Sequence, residues 1–136
     1  MKNLAHTVPT AKSFDDAVAA VEQATAAHGF RVLHVHDISG ILAGKGFDRE
    51  PLKIVEICNA KYSSEILQKE VTAALMLPCP IVVYQQDGMI YISTMLPTAL
   101  AGFFPGKGLE FTAELVEFVV VAIVNESAIT PVAVPG

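Results

Sequence analysis

Two cysteines are the most reactive side chains of this sequence, and both stand at the boundary of an apolar run. Cys58 ends such a run and is followed by Asn59, a residue that commonly begins a helix. The N-terminus of a helix can stabilise a negatively charged thiolate. Cys58 is therefore a candidate nucleophile, carrier of persulfide sulfur or ligand of a soft metal. The competing interpretation is that Cys58 and Cys79 are small buried hydrophobes, as free cysteines often are.

Two histidines separated by one residue form the second candidate group. His34 and His36 lie in a run of alternating character, so on a β-strand their side chains point to the same face. Glu56 and Cys58 share a face of the next predicted strand, and a matching register would bring all four together. Such a His/His/Cys or His/His/Glu cluster suits zinc, copper or iron, or it holds a small ligand. The alternative is a pair of interface histidines that are hydrogen-bonded to the backbone or to Asp37.

Other features of the sequence specify no reaction. Glu56 stands among Ile54, Val55 and Ile57, so its carboxylate is either at an exposed strand edge or buried with a partner. The glycines around Lys45 resemble a phosphate-binding loop, but the Gly-Lys-Ser/Thr ending and the following helix are missing. The sequence thus contains candidate metal- or ligand-binding residues but no catalytic motif.

The composition indicates the kind of scaffold that must position these side chains. A chain of 136 residues can bury a single core without disulfide or metal support. Hydrophobic residues make up 52% and charged residues 17% of the chain, whereas a typical domain has about 25% charged residues. Because so small a monomer cannot bury all this apolar surface, we expect a homo-oligomer, most simply a dimer.

Charge and hydropathy argue against two classes of partner. The net charge is −5, and the nine Lys and Arg residues are scattered, so the basic surface of a nucleic-acid-binding protein is not expected. The longest strongly apolar stretch, 118–124, is far shorter than the ~20 residues of a membrane-spanning helix. The N-terminus has neither a signal core nor transit character, so we expect a cytoplasmic protein with reduced thiols.

The hydrophobic pattern predicts eight elements in the order β-α-β-β-α-β-β-α. Ser13 is the predicted N-cap of the first helix, Gly29 its C-terminal cap, and Pro9 the end of the first strand. The Asp87-Gly88 pair between two apolar runs predicts a β-hairpin. The predicted strands and helices lie at 4–8, 13–29, 30–38, 52–58, 59–70, 80–84, 89–94 and 109–126, with a loop at 39–51.

This order predicts an α+β fold with a mostly antiparallel sheet and helices on one face. We assign residues 1–126 to a single domain and 127–136 to an apolar, proline-containing tail, either a disordered end or an arm on a neighbouring subunit. Strands such as 53–58 and 81–84 are apolar on both faces. The face that the helices leave open therefore needs a partner, and a second copy of the sheet is the simplest one.

Six short segments stand in an order and spacing that carry a family resemblance: Ser13-Phe14-Asp15-Asp16-Ala17, Gly29-Phe30, Val35-His36-Asp37, Glu56-Ile57-Cys58-Asn59, Leu77-Pro78-Cys79-Pro80, and Val83-Tyr84 with Asp87-Gly88. Over about residues 4–100 the chain resembles the family catalogued as domain of unknown function 302. The resemblance implies a curved antiparallel sheet backed by helices, of the TATA-binding-protein-like type and often dimeric. It implies no agreed activity. The chain departs from the family at Ala60, where proline is common, and at Ser63-Ser64, where alanine is frequent.

These observations favour a non-enzymatic binding or accessory protein. It would be a cytoplasmic dimer that carries a small ligand, a metal or a sulfur species, with its site near His34, His36, Glu56, Cys58 and Cys79. If a cofactor is present, we expect a transition metal on His34, His36 and Cys58. One alternative is a thiol-dependent enzyme or sulfur-transfer protein that uses Cys58. The other is a structural subunit that docks through its apolar face on a partner complex of redox or sulfur metabolism.

Overall fold

The structure, a computed structural model, describes residues 3–129, and five strands of this part form one sheet. The strands lie in the order β1-β5-β4-β3-β2, and every neighbouring pair is antiparallel. This arrangement confirms the predicted α+β class, whereas the TATA-binding-protein-like type stays a prediction. The strands are β1 (Ala5–Thr10), β2 (Arg31–Asp37), β3 (Leu52–Cys58), β4 (Cys79–Gln86) and β5 (Met89–Met95).

Two long helices and several short ones accompany the sheet. The long helices α1 and α5 pack against each other and on one sheet face. The helices are α1 (Phe14–Ala27), α2 (Ile38–Ala43), α3 (Ala60–Lys69), a 3₁₀ helix (Val71–Met76), α4 (Pro97–Ala101) and α5 (Glu110–Ala128). The predicted order of strands and long helices is therefore confirmed, with α2, the 3₁₀ helix and α4 as additions.

The main hydrophobic core lies between this sheet face and the two long helices. Ile57, Ile81 and Ile92 come from the three central strands, and each is fully buried. Val21 of α1 and Val120 of α5 face them and are fully buried as well. Burial of each such side chain contributes about 1.5–3 kcal/mol. This core fixes the positions of the strand ends, which matter for the site described below.

Side-chain caps at the helix starts confirm the local predictions. The Ser13 hydroxyl accepts a hydrogen bond of 3.1 Å from the backbone N–H of Asp16, and the Asn59 side chain accepts one of 3.1 Å from Tyr62. The Asn59 amide group also donates to the carbonyl of Gly29 at 3.2 Å. Asn59 therefore begins α3 and ties it to the residue that follows α1.

The β4–β5 hairpin is the predicted one, with a contact that the sequence did not reveal. Both turn residues have positive φ, 52° at Asp87 and 81° at Gly88, as a two-residue turn of this hand requires. The Glu50 carboxylate accepts hydrogen bonds from the backbone N–H groups of both residues, at 3.0 and 3.3 Å. These bonds, Gly88 first, hold the pKa of Glu50 below its ordinary value. Glu50 thus braces the turn from outside the hairpin.

Several element boundaries differ from the prediction, most clearly in three segments. Strand β1 continues through Pro9, because β1 is an edge strand and pairs only with β5. The predicted loop at 39–51 contains α2, whose first turn is capped by the Asp37 carboxylate bonded to the Gly40 N–H at 3.1 Å. Helix α5 continues to Ala128, and Ser127 is buried. Residues 130–136 of the predicted tail lie outside the described residues.

A register shift in β2 changes which side chains share a face. The simple alternation of the sequence predicts Val32 and Val35 on opposite faces. The shift lies between Val32 and His34, and both valines pack against the main core. A bulge of this kind adds a residue to one strand and reverses the alternation beyond it. His34 and His36 consequently share the face that points away from α1 and α5.

This second sheet face, which we call the open face, keeps an apolar character. Its side chains alternate along the strands with the buried core residues and are partly exposed. Tyr84 and Tyr91 are paired across β4 and β5, and their rings stack with centroids 5.4 Å apart. The open face includes Ile54, Val82, Tyr84, Tyr91 and Ser93.

Among the described residues, no helix combines the length and the apolar character that crossing a bilayer requires.

Candidate functional site

A cavity lies where the three central strands β3, β4 and β5 begin or end. We call this margin of strand ends the sheet edge. Ile57 of β3 pairs with Cys79 of β4, so Cys58 at the end of β3 lies beside the start of β4. On the other side of β4, strand β5 ends at Met95. All four residues line the cavity. The sheet edge thus forms one wall, which brings together residues far apart in the sequence.

Helices and a loop form the other walls. Tyr62, Ser63 and Ile66 come from α3, and Ala113 and Val116 come from α5. Further lining residues come from the 3₁₀ helix, α4 and the loop at 102–109. The cavity has a volume of about 70 Å³. Because a single water needs only about 10–15 Å³, the cavity has room for a small molecule.

The two cysteines meet in this cavity, and neither forms a disulfide. The Cys58 sulfur lies 3.0 Å from the Ser63 hydroxyl oxygen, and either atom can be the donor. Ser63 stands one turn beyond the Asn59 cap of α3. The position that departs from the family pattern in the sequence therefore supplies a hydrogen-bonding partner to a thiol.

Burial changes the acid–base behaviour of Cys79. Removal of the thiol from water, with a smaller contribution from the neighbouring Cys58, raises the pKa of Cys79 from 9.0 to about 11. At neutral pH this thiol is protonated and a weak nucleophile. Cys79 therefore serves better as a neutral lining group than as a reacting nucleophile.

The raised pKa of Cys79 predicts a loss of stability at alkaline pH. The unfolded chain loses this proton near pH 9, whereas the folded chain keeps it until about pH 11. The free energy of unfolding is therefore unaffected by this thiol below pH 9 and falls by about 3 kcal/mol as the pH rises from 9 through 11. Urea unfolding at a series of pH values should show this decline in the wild type and not in Cys79→Ala. Parallel pH curves for both proteins would contradict it.

Polar contacts hold the loop at 102–109 against the cavity. The Lys69 ammonium group donates to the Gly108 carbonyl at 2.9 Å, and the Lys107 ammonium group lies 3.3 Å from the Glu70 carboxylate. Hydrogen bonds from the Thr72 side chain and backbone, together with Lys107, hold the pKa of Glu70 below its ordinary value. The junction between α3 and the 3₁₀ helix is thereby attached to the loop that closes the cavity.

The histidines form a separate cluster on the open face. The rings of His34 and His36 meet edge to face with centroids 4.5 Å apart. Nε2 of His36 lies 2.5 Å from a Glu56 carboxylate oxygen, and His34 is opposite Glu56 in the strand register. The predicted neighbourhood of His34, His36 and Glu56 is therefore present. The Glu56 carboxylate is therefore paired with the His36 ring, and about a third of each of these two side chains is exposed.

The predicted site residues consequently divide between two places. Cys58 and Cys79 line the cavity, whereas His34, His36 and Glu56 lie on the open face. Within residues 3–129, no three His, Cys, Asp or Glu side chains are grouped closely enough to hold a metal ion. The predicted metal set of His34, His36 and Cys58 is thus not assembled, because Cys58 at the end of β3 is turned towards α3 and Ser63.

Several lining residues of the cavity were not predicted from the sequence. Met76 and Met95 have no motif around them, and Leu100 and Phe104 lie between the last predicted strand and the last predicted helix. Ser63 was noted only as a departure from the family pattern. A signal was nevertheless available, because Cys58, Cys79 and Met95 all stand where an apolar run begins or ends. Ends of adjacent antiparallel strands meet at a common edge of the sheet.

Comparisons with known proteins agree with this description. The model of a protein family described as "Domain of unknown function DUF302" matches residues 6–126. The chain is similar to the crystal structure of an uncharacterized conserved protein DUF302 from Bacillus stearothermophilus, with 27% identity and a TM-score of 0.88. That likeness covers 93% of this chain and 99% of the other. None of the curated proteins matches the chain.

Proposed function

The chain belongs to the DUF302 family, whose description assigns no activity, and we propose that it is a binding protein that holds a small ligand in the cavity at the sheet edge. The walls are largely aliphatic and aromatic, and the lining residues with polar side-chain groups are few: Cys58, Asn59, Tyr62, Ser63 and Cys79. Pockets with apolar walls and a small number of polar groups are typical of ligand sites. The ligand is therefore small and mainly apolar or polarisable.

The observation that carries this proposal is that five different parts of the fold meet around one space. The sheet edge, α3, the 3₁₀ helix, α4 and α5 all contribute to its lining. Well-packed protein interiors leave few voids larger than a water molecule. Here a second small core of Ala73, Ala101, Leu109 and Ala113 surrounds the space instead of filling it. The three alanines of this cluster are too small to fill the cavity.

Narrowing the cavity should weaken binding of an apolar probe. Ala113 of α5 lines the cavity, whereas Ala122 of the same helix lies outside it. We expect Ala113→Leu to weaken indole binding about tenfold or more, equivalent to about 1.4 kcal/mol, and Ala122→Leu to leave it unchanged. The chain contains no tryptophan, so indole fluorescence excited beyond the tyrosine band reports the probe alone. Circular dichroism checks that both variants fold.

The outcomes of this titration separate the explanations. Binding by the wild type and by Ala122→Leu, with loss in Ala113→Leu, supports the cavity as the site. Equal binding by all three proteins would place the probe elsewhere and contradict the proposal. Absence of a spectral shift in the wild type at millimolar indole would contradict it as well.

The proposal extends to assembly and location. Two copies of the chain pack through their open faces, because Ile54, Val82, Tyr84 and Tyr91 otherwise stay in contact with water. A symmetric pair places the same surface on both subunits. The His34–His36–Glu56 cluster lies on this face and supplies polar contacts there. A reducing compartment such as the cytoplasm suits the two unpaired cysteines of the cavity.

A further inference from the structure

The cavity collects most of the sulfur in this chain. The sequence has two cysteines and four methionines. Both cysteines line the cavity, and so do Met76 and Met95. Met89 lies at the start of β5 near the hairpin turn, is 49% exposed and does not line the cavity. Four sulfur-bearing side chains therefore surround one small space in which oxygen and nitrogen atoms are scarce.

The fold positions these four residues by sheet register. Cys58 ends β3, Cys79 begins β4 and Met95 ends β5, and these strands are consecutive in the sheet. Ile57 pairs with Cys79, so Cys58, the next residue of β3, lies beside the start of β4. Thr94, the residue before Met95, pairs with Ile81, two residues from Cys79. Met76 is the last residue of the 3₁₀ helix that leads into β4. The arrangement is thus built into the scaffold.

This set of donors matches the chemistry of one kind of ion. Thiolate and thioether sulfur are soft ligands, and together they select Cu(I) among the metals that proteins commonly bind. We propose that the cavity binds a Cu(I) ion through the sulfur atom of Cys58, with the Met76 and Met95 thioethers as further donors and the protonated Cys79 thiol as a neutral neighbour. This inference rests on the proposed function, since the cavity is the same, and it specifies the class of ligand.

Charge balance in the apolar cavity supports a monovalent ion. When Cu⁺ binds, a bond forms between copper and the Cys58 sulfur, the S–H bond breaks, and the proton passes to water. One positive charge replaces another, so the cavity carries no additional net charge. The Ser63 hydroxyl, 3.0 Å from the Cys58 sulfur, can then donate a hydrogen bond to the thiolate. Met76 and Met95 contribute lone pairs as neutral donors, and Cys79 keeps its proton.

A competition titration with matched methionine variants tests the inference. Reduced protein is titrated anaerobically into the Cu(I)–bicinchoninate complex, and loss of its visible absorbance measures transfer of copper. We expect the wild type and Met89→Leu to take up stoichiometric Cu(I) with equal affinity. Met95→Leu should bind about tenfold more weakly and Cys58→Ser at least about a hundredfold more weakly. Leucine nearly conserves the volume of methionine, so the methionine variants should keep the fold.

The result can contradict this inference without contradicting the proposed function. If the wild type removes no copper from bicinchoninate while indole still binds in the cavity, the ligand class is wrong and the binding function stands. If neither copper nor indole binds, both proposals fail. If Met95→Leu and Met89→Leu bind copper as tightly as the wild type, the Met95 thioether is not a ligand and the proposed sulfur site is refuted. Full copper uptake by Cys58→Ser would likewise refute it.

Discussion

Replacement of Ile81 by alanine is expected to lower the free energy of unfolding by about 2–5 kcal/mol. Ile81 lies on β4, the central strand of the sheet, and its side chain is fully buried in the main core. The truncation removes apolar contacts and leaves a space that the surrounding strands and helices fill only in part. Since the free energy of unfolding of a small domain is about 5–15 kcal/mol, this one substitution removes a large share of it.

The matched variant is Ile54→Ala, on the neighbouring strand but on the open face. Ile54 pairs with Val82 and is only partly buried within one chain, so the same truncation should cost the monomer about 1 kcal/mol or less. Urea unfolding at low protein concentration measures both values. Similar costs for Ile54→Ala and Ile81→Ala in a dilute monomer would show that both sheet faces are equally packed, contrary to the core described here.

An aspartate in place of Val82 is expected to dissociate the proposed dimer. Val82 lies in the middle of β4 on the open face, between Ile54 on one neighbouring strand and Ser93 on the other. In a symmetric pair the substitution places two unpaired carboxylates in one interface. Burial and mutual repulsion of such charges cost several kcal/mol, so the association constant should fall by more than about a hundredfold. Sedimentation velocity over a range of concentrations measures the change.

A second aspartate variant distinguishes this interface from another exposed apolar surface. Phe118 on the outer side of α5 is 79% exposed, and Phe118→Asp should leave the dimer intact if the open faces meet. Dissociation by Phe118→Asp and not by Val82→Asp would move the interface to α5. A wild-type chain that sediments as a monomer at high concentration would contradict the proposed assembly altogether.

Interactions between near neighbours in the chain made parts of this fold predictable. The caps at Ser13 and Asn59 each join atoms that are three residues apart. The Asp87-Gly88 turn needs only the conformational preferences of its own two residues. Strand β3 has the predicted bounds, 52–58, since its dense Ile and Val content favours a buried strand. The antiparallel arrangement followed from these elements and their short connections.

The candidate site was predictable only in part. The two histidines and Glu56 were expected together, and their meeting required only that β2 and β3 be neighbours in a suitable register. Cys58 was expected to join them, since it shares the strand alternation of Glu56. It lies instead in a cavity whose other walls come from α3, α4 and α5. No pattern within β3 indicates which helix will cover its last residue.

The sequence by itself determined the elements, their order and the apolar character of both sheet faces, because these depend on the side chains of short stretches and on local hydrogen bonds. Tertiary structure decided that Met76 and Met95 line the same cavity as Cys58 and Cys79. It also decided that the bulge in β2 turns both Val32 and Val35 towards the main core. Such outcomes depend on strand register and on helix packing between residues far apart in the chain. The register and the packing are set by the minimum of the total packing energy, to which every segment of the chain contributes.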